Sequence, residues 1–142
     1  MTDPRAETTA ARPGGGLAAG ARVAYRWVLA LFLLAGAVQI FLAGYGAFHG
    51  GFGAHRTLGF AMSGIALVIL VLALLGRVGG RDIGLSALLF LLAALGQSGW
   101  AALGENSAFF GGVHAFEGLA IIGLAGFLHG AAIRRGRENA ST

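Results

Sequence analysis

The chain has 142 residues, 56% of them hydrophobic and only 11% charged, with a mean hydropathy of +0.76. A soluble domain carries about a quarter charged residues, so this composition excludes an ordinary soluble enzyme and points to a membrane protein. Cysteine is absent, which removes disulfides and thiolate metal sites; the ten positive charges are all arginines flanking apolar segments, which argues against nucleic-acid binding despite a pI near 11.1.

Residues 1–22 are polar, rich in Gly and Ala and punctuated by proline. Such a segment buries too little apolar surface to order itself, which predicts a disordered tail ahead of a transmembrane domain over 23–133. The first span is expected at 27–48. Its apolar stretch exceeds the 7–15 residues of a signal-peptide core, and it carries Gln39 among the small residues Gly36, Ala43 and Gly44. A glycine-rich loop at 49–54 holds His49. The second span, 55–76, opens on His55-Arg56 and continues through Gly59, Ser63 and Gly64. Arg77 and Arg81 fall in the next loop. The third span, 83–103, carries Gln97. After a loop at 104–112 the fourth span, 113–133, contains His114, Glu117, Gly118, Gly123, Gly126 and His129. A basic tail, 134–142, closes the chain.

Nine of the ten arginines fall on one side of this arrangement. The positive-inside rule makes that side cytoplasmic, with both termini inside and the cytoplasmic (inner) membrane of a bacterium as the expected location. Tyr25 and Trp27 are expected at the inner interface, Tyr45 and Trp100 at the outer one, as aromatic belts. Short connections make consecutive spans antiparallel, so the fold class is all-α, an up-down transmembrane four-helix bundle. Small residues in the spans allow close backbone approach in lipid. Gly126-x-x-x-Gly130 matches the dimerisation pattern that would make a homodimer, and an intrachain contact is its simpler use.

The chain also repeats itself. His55–Gly59 and His114–Gly118 share the pattern His-x-x-x-Gly, and Gln39 precedes His55 by 16 residues where Gln97 precedes His114 by 17. The bundle therefore reads as two copies of one hairpin related by an axis along the membrane normal, as in parallel transporter repeats. Helices two and four then lie diagonally, each with its histidine near the outer face. Facing imidazoles are the arrangement a haem iron requires, and bundle cores hold such groups. On this reading His55 and His114 are axial ligands of one b-type haem. Gly59 and Gly118, one turn deeper on the same faces, leave room for the macrocycle, and Phe52, Phe109 and Phe110 pack on its edges. Arg56 would pair with a propionate, since its planar fork binds carboxylates bidentately. Glu117 has three readings: a salt bridge to Arg56, which is preferred, a proton-handling group, or a third metal ligand. Gln39 and Gln97 are expected to form interhelical hydrogen bonds. His129 lies about 22 Å from His114 at 1.5 Å per residue and has no counterpart in helix two, so no second histidine pair is expected.

The layout of Gln39, His55-Arg56 and His114 resembles a small family of uncharacterised four-helix bacterial membrane proteins. It is also similar to one half of haem A synthase, a duplicated four-helix bundle with haem-ligating histidines on its second and fourth helices, and more loosely to four-helix b-type cytochromes. The resemblance covers roughly residues 27–133. Where haem A synthase has a catalytic glutamate three residues before the His-Arg pair, this chain has Phe52, and an extra histidine three residues before the helix-four ligand is here Gly111. The resemblance therefore implies a haem-holding scaffold without that oxidative chemistry, serving electron transfer, haem handling or redox sensing beside a respiratory or assembly partner. Two alternatives stand beside it: a cofactor-free accessory protein whose polar cluster locks the helices, and a non-haem metal site built from His55, His114 and Glu117.

Overall fold

In the computed structural model, which describes residues 14–138 and 141, the chain forms four long helices and, among those residues, no strand. Helix α1 spans Gly14–His49, α2 Gly53–Gly76, α3 Gly80–Gly104 and α4 Ala108–Glu138, each long and apolar enough to cross a bilayer. The two prolines, Pro4 and Pro13, both precede α1, so no span carries the missing N–H that would break it. The helices run past the apolar stretches that define the spans. Residues 14–22, expected as tail, are the opening turns of α1, and residues 134–138 continue α4. Residues 1–13 of the expected tail lie outside the described residues.

Helix α1 packs against α2 and α4, and α3 packs against the same two, which places α2 and α4 on one diagonal with their backbones held apart. This is the expected up-down bundle. The core follows a strict pattern. Inward positions in α1 are Tyr25, Leu29, Phe32, Gly36 and Gln39; in α2, His55, Gly59, Met62, Ala66, Ile69 and Ala73; in α4, His114, Gly118, Ile121, Ala125 and Leu128. Spacings alternate four and three, the 3.5-residue period of left-handed bundle packing. Tyr25 is therefore a core residue, 1% exposed, and not the interfacial belt residue expected from its place near the arginines. Trp27, by contrast, is 64% exposed, with the Arg26 guanidinium over its ring.

Helix α3 begins on the same period with Asp82, Ser86, Leu89 and Ala93. Continued unbroken, it would next turn Gly96 inward. A π-helical turn over Leu92–Gly96, closed by the Gln97 N–H on the Leu92 carbonyl, takes up one extra residue and brings Gln97 inward instead. A wider turn loosens the backbone ladder, and in lipid a hydroxyl from a neighbouring helix can satisfy what it frees. Ser63 of α2 does so, its Oγ donating to the Ala93 carbonyl at 2.9 Å. The repeat thus survives an insertion because the helix absorbs it.

The two ends of the bundle differ. Toward the arginines the core is solid and contains an ionic cluster that apolar patterning does not reveal. Asp82, 1% exposed, is held by Arg135 of α4 and by Arg81 Nε at 2.9 Å, while Ser86 Oγ donates to the Asp82 carbonyl at 2.7 Å and meets Tyr25 OH at 3.0 Å. Arg22 caps α2 by donating to the Gly76 carbonyl at 3.0 Å, and the α2–α3 turn closes on Arg77 in the left-handed region (φ 51°) and Gly79 at φ 106°. Close helix approach includes Gly36, where an added Cβ would stand 3.0 Å from Ile122 Cγ1, and Gly104, where one would stand 3.1 Å from the Gly111 backbone. Gly126 is not such a contact. A Cβ there meets nothing within 4 Å, and one on Gly130 meets only Arg134 of its own helix, so the glycine pattern in α4 does not serve the intrachain packing expected of it.

Candidate functional site at the histidine end

Toward the two short loops the core opens into a cavity of about 830 Å³, within the range of small-molecule and cofactor pockets. All four helices line it. Its walls are mostly apolar, with Phe32, Ile40, Phe60, Met62 and Ile122 prominent, and its polar groups include His55, His114, Gln39, Gln97 and Arg56.

Each histidine is fixed by the glutamine of the preceding helix through a reciprocal pair of bonds. Gln39 Nε2 donates to the His55 carbonyl at 2.9 Å, and His55 Nδ1–H donates to the Gln39 carbonyl at 3.2 Å. In the second hairpin Gln97 Nε2 donates to the His114 carbonyl at 3.0 Å, and His114 Nδ1–H donates to the Gln97 carbonyl at 3.0 Å. A carbonyl only accepts, so Nδ1 carries the proton in both rings, and in the neutral ring Nε2 keeps a free lone pair. This is the arrangement found behind metal-ligating histidines, whose second nitrogen donates to a backbone carbonyl or carboxylate. The two rings face each other across the diagonal, centroids 6.2 Å apart and planes at 69°. The interhelical hydrogen bonding expected of the glutamines is present. That their partners would be the histidine backbones was not legible, because residues 16 and 17 apart meet only once the hairpins have closed.

Gly59 and Gly118 both line the cavity. A Cβ on Gly59 would stand 3.2 Å from Gln39 Nε2, and one on Gly118 3.9 Å from Gln97 Nε2, so the missing side chains also make room for the glutamine amides. Phe52 lines the cavity and sets its ring edge-on to His55 with centroids 6.0 Å apart. Phe109 and Phe110 do not line it, contrary to expectation. They pack against each other and Phe110 stacks on Trp100, because α4 starts five residues earlier than the apolar stretch suggests and carries both rings to the outside of the α3–α4 seam.

The acidic groups are also placed differently. Arg56, at the cavity mouth, pairs with Glu105 at 3.4 Å and not with Glu117; both partners are about two-thirds exposed. Glu117 does not line the cavity; at the α3–α4 seam its Oε2 accepts from Gln97 Nε2 at 3.0 Å. It is therefore not a ligand beside the histidines. Among the described residues no group of three or more His, Cys, Asp or Glu side chains is placed to hold a metal ion, which removes the three-ligand metal site. His129 is a packing residue at the arginine end, its Nδ1–H donating to the Arg26 carbonyl at 3.1 Å.

Gly96 is where the seam is tightest. An added Cβ would stand 2.8 Å from Glu117 Cδ and collide with one of its carboxylate oxygens. Alanine in place of glycine ordinarily favours a helix by about 1 kcal/mol. The obstruction is the movable end of one side chain, so we expect Gly96→Ala to displace the Glu117 carboxylate from Gln97 and leave the thermal midpoint in detergent nearly unchanged, and to raise it once Glu117→Ala has removed the obstruction. A stabilising Gly96→Ala in the parent chain would show that the contact is slack.

Fold and site define a four-helix membrane protein with a histidine pair in a cavity at one end. Residues 39–101, which contain Gln39, the His55-Arg56 pair and Gln97, match a family of unknown function (DUF6220). No curated protein and no solved structure matches the chain.

Proposed function

We propose that the protein binds one b-type haem in this cavity, with His55 and His114 as its axial ligands, and serves as a redox or haem-handling element of the membrane. The observation that carries the reading is the histidine pair itself. Imidazole–metal bonds of about 2.0 Å on each side put two ring centres about 6 Å apart when they share one metal, and these centres are 6.2 Å apart. The donor set points the same way. Porphyrin supplies four nitrogens, so two protein ligands complete a haem iron, whereas a bare divalent ion needs further side chains that this site does not gather.

Bound haem would supply one-electron redox chemistry. The chain's own residues do the rest. Gln39 and Gln97 fix each ring's tautomer and direction through their backbone carbonyls, and the apolar walls exclude water. Arg56 would take a propionate in exchange for Glu105, a trade that costs little because exposed ion pairs contribute at most about 1 kcal/mol. With His55 and His114 both holding the group, the site would favour electron transfer, sensing or carriage over catalysis by this chain alone. The layout similarity to one half of haem A synthase agrees with a haem-holding scaffold, and a respiratory or assembly protein is the expected partner.

An optical spectrum of detergent-purified protein, oxidised and reduced, tests the proposal: a Soret band with low-spin reduced bands supports it, and its absence from protein expressed with ample haem sinks it. The second reading, a cofactor-free protein locked by polar contacts, rests on the four glutamine–histidine bonds, which are complete without a ligand. It predicts cooperative folding with no visible chromophore.

We place both termini in the cytoplasm and the histidine end at the outer face of a bacterial inner membrane, on the strength of the arginine distribution. A reporter active only outside the membrane, fused to either terminus, is expected to stay silent; activity from either fusion would invert the topology.

A further inference from the structure

The cavity reaches the side of the bundle as well as its end. Gly36 and Ile122 meet at the floor of the α1–α4 seam, where an added Cβ on the glycine would stand 3.0 Å from Ile122 Cγ1. Toward the histidine end, Ile40 and Ala43 follow Gly36 on one stripe of α1, four and seven residues on. Leu119 and Ala115 precede Ile122 by three and seven residues on the facing stripe of α4. All four line the cavity, yet Ile40 and Leu119 are also 54% and 60% exposed, and Ala115 is exposed too. Added Cβ atoms on Gly44 and Gly111, one turn beyond Ile40 and Ala115, would meet nothing within 4 Å. The seam is thus packed at its floor and open above it. These borders stand about 9 to 17 Å from the helix ends on the histidine side. That depth lies within the apolar spans, so the gap faces hydrocarbon and not water.

The pseudo-twofold places a second seam, α2–α3, beside it for comparison. The offset that carries His55 to His114 also carries Arg56, Phe60 and Ser63 to Ala115, Leu119 and Ile122. In the α2–α3 seam the outer two of these positions are tied. Ser63 Oγ donates to the Ala93 carbonyl at 2.9 Å, and Arg56 pairs with Glu105 at 3.4 Å across the rim. Alanine, leucine and isoleucine at the matching α4 positions have no polar side-chain group to form such ties. We propose that the α1–α4 gap is a lateral portal, through which the cavity exchanges its occupant with the lipid phase. The occupant is a membrane-dissolved molecule with an apolar body, matching the cavity walls, and an anionic end to meet Arg56 at the mouth. Haem fits that description, and naming it rests on the preceding reading; the portal itself does not.

The experiment photolyses an apolar aryl diazirine dissolved in phosphatidylcholine vesicles that hold the full chain. Dinitrogen leaves, the carbene inserts into a C–H bond of the group it touches, and mass spectrometry locates the adduct. Met62 and Ile121 line the cavity from inward positions, 7% and 3% exposed, so a reagent confined to lipid reaches them through a side opening. The expected result is adducts on both in the parent chain, reduced tenfold or more in Ala115→Trp, which narrows the α1–α4 gap. Ala101→Trp, at the α2–α3 seam, should leave them unchanged. No adduct on Met62 or Ile121 in the parent, or equal labelling of the parent and Ala115→Trp, overturns the proposal. The parent measurement needs no variant to fold, and Leu119→Trp, also at an exposed position, repeats the plug from a second place. Haem dissolved in the same vesicles separates this proposal from the preceding one. Growth of a Soret band that is slowed in Ala115→Trp supports both. Labelled Met62 without any Soret band leaves the portal standing and the haem reading fallen. A Soret band that grows at equal rates in the parent and Ala115→Trp overturns the portal alone.

Discussion

His55→Ala or His114→Ala is expected to abolish the Soret absorbance of purified protein, while His129→Ala leaves it intact. The first two variants remove a ring that faces the cavity with Nε2 free; the third removes one whose contact lies at the opposite end, on the Arg26 carbonyl. Global unfolding does not account for such a difference. Each cavity variant keeps the bond from glutamine Nε2 to the backbone carbonyl at the mutated position and loses only the one from the ring, a contact worth about 0.6 kcal/mol in lipid. Losing one of two axial ligands should instead remove most of the retained haem, by tenfold or more in occupancy after detergent purification. Equal occupancy in all three variants would mean that neither ring is a ligand.

The second large effect is on stability. Asp82→Ala should lower unfolding stability by about 3 kcal/mol, the low end for breaking a buried ion pair, since the freed Arg81 and Arg135 can both reach water. Asp82 is 1% exposed and joins the start of α3 to the end of α4, so its loss unties two helices and leaves Arg135 without its anion. Glu105→Ala removes an ion pair of similar composition whose partners are exposed, and should change stability by less than about 1 kcal/mol. Thermal denaturation of both variants in one detergent gives the comparison. Equal shifts would show that the buried cluster contributes nothing special.

These two sites differ in how far the amino-acid order announces them. The four spans, the diagonal placement of His55 and His114 and the interhelical use of the glutamines, though not their partners, follow from apolar length, short loops and the repeat, which constrain a chain strongly in lipid. The Asp82 cluster does not. Residue 82 sits beside Arg81 at the edge of an apolar stretch and reads as loop, and nothing local says that Arg135, 53 positions away, will reach it. An acidic residue immediately before a span was the available signal. The partner of Arg56 was misread for a related reason. Depth along a helix suggested Glu117, but the tight turn after Gly104 holds Glu105 at the cavity mouth, while the π turn swings Gln97 inward and draws Glu117 to its own seam. Helical phase, counted at a constant 3.6 residues per turn, cannot anticipate a turn that is wider than the rest.

That wider turn leaves the two hairpins mechanically unequal. Gln97 grips both the His114 backbone and Glu117, on a helix that Ser63 further ties to its neighbour. Gln39 grips only the His55 backbone, and its buried Oε1 has no partner. The second imidazole is thus backed by one more side-chain contact than the first. Were a ligand to enter the cavity, the orphaned Gln39 amide oxygen is the group left with hydrogen-bonding capacity to meet it, which makes the first hairpin the one expected to adjust.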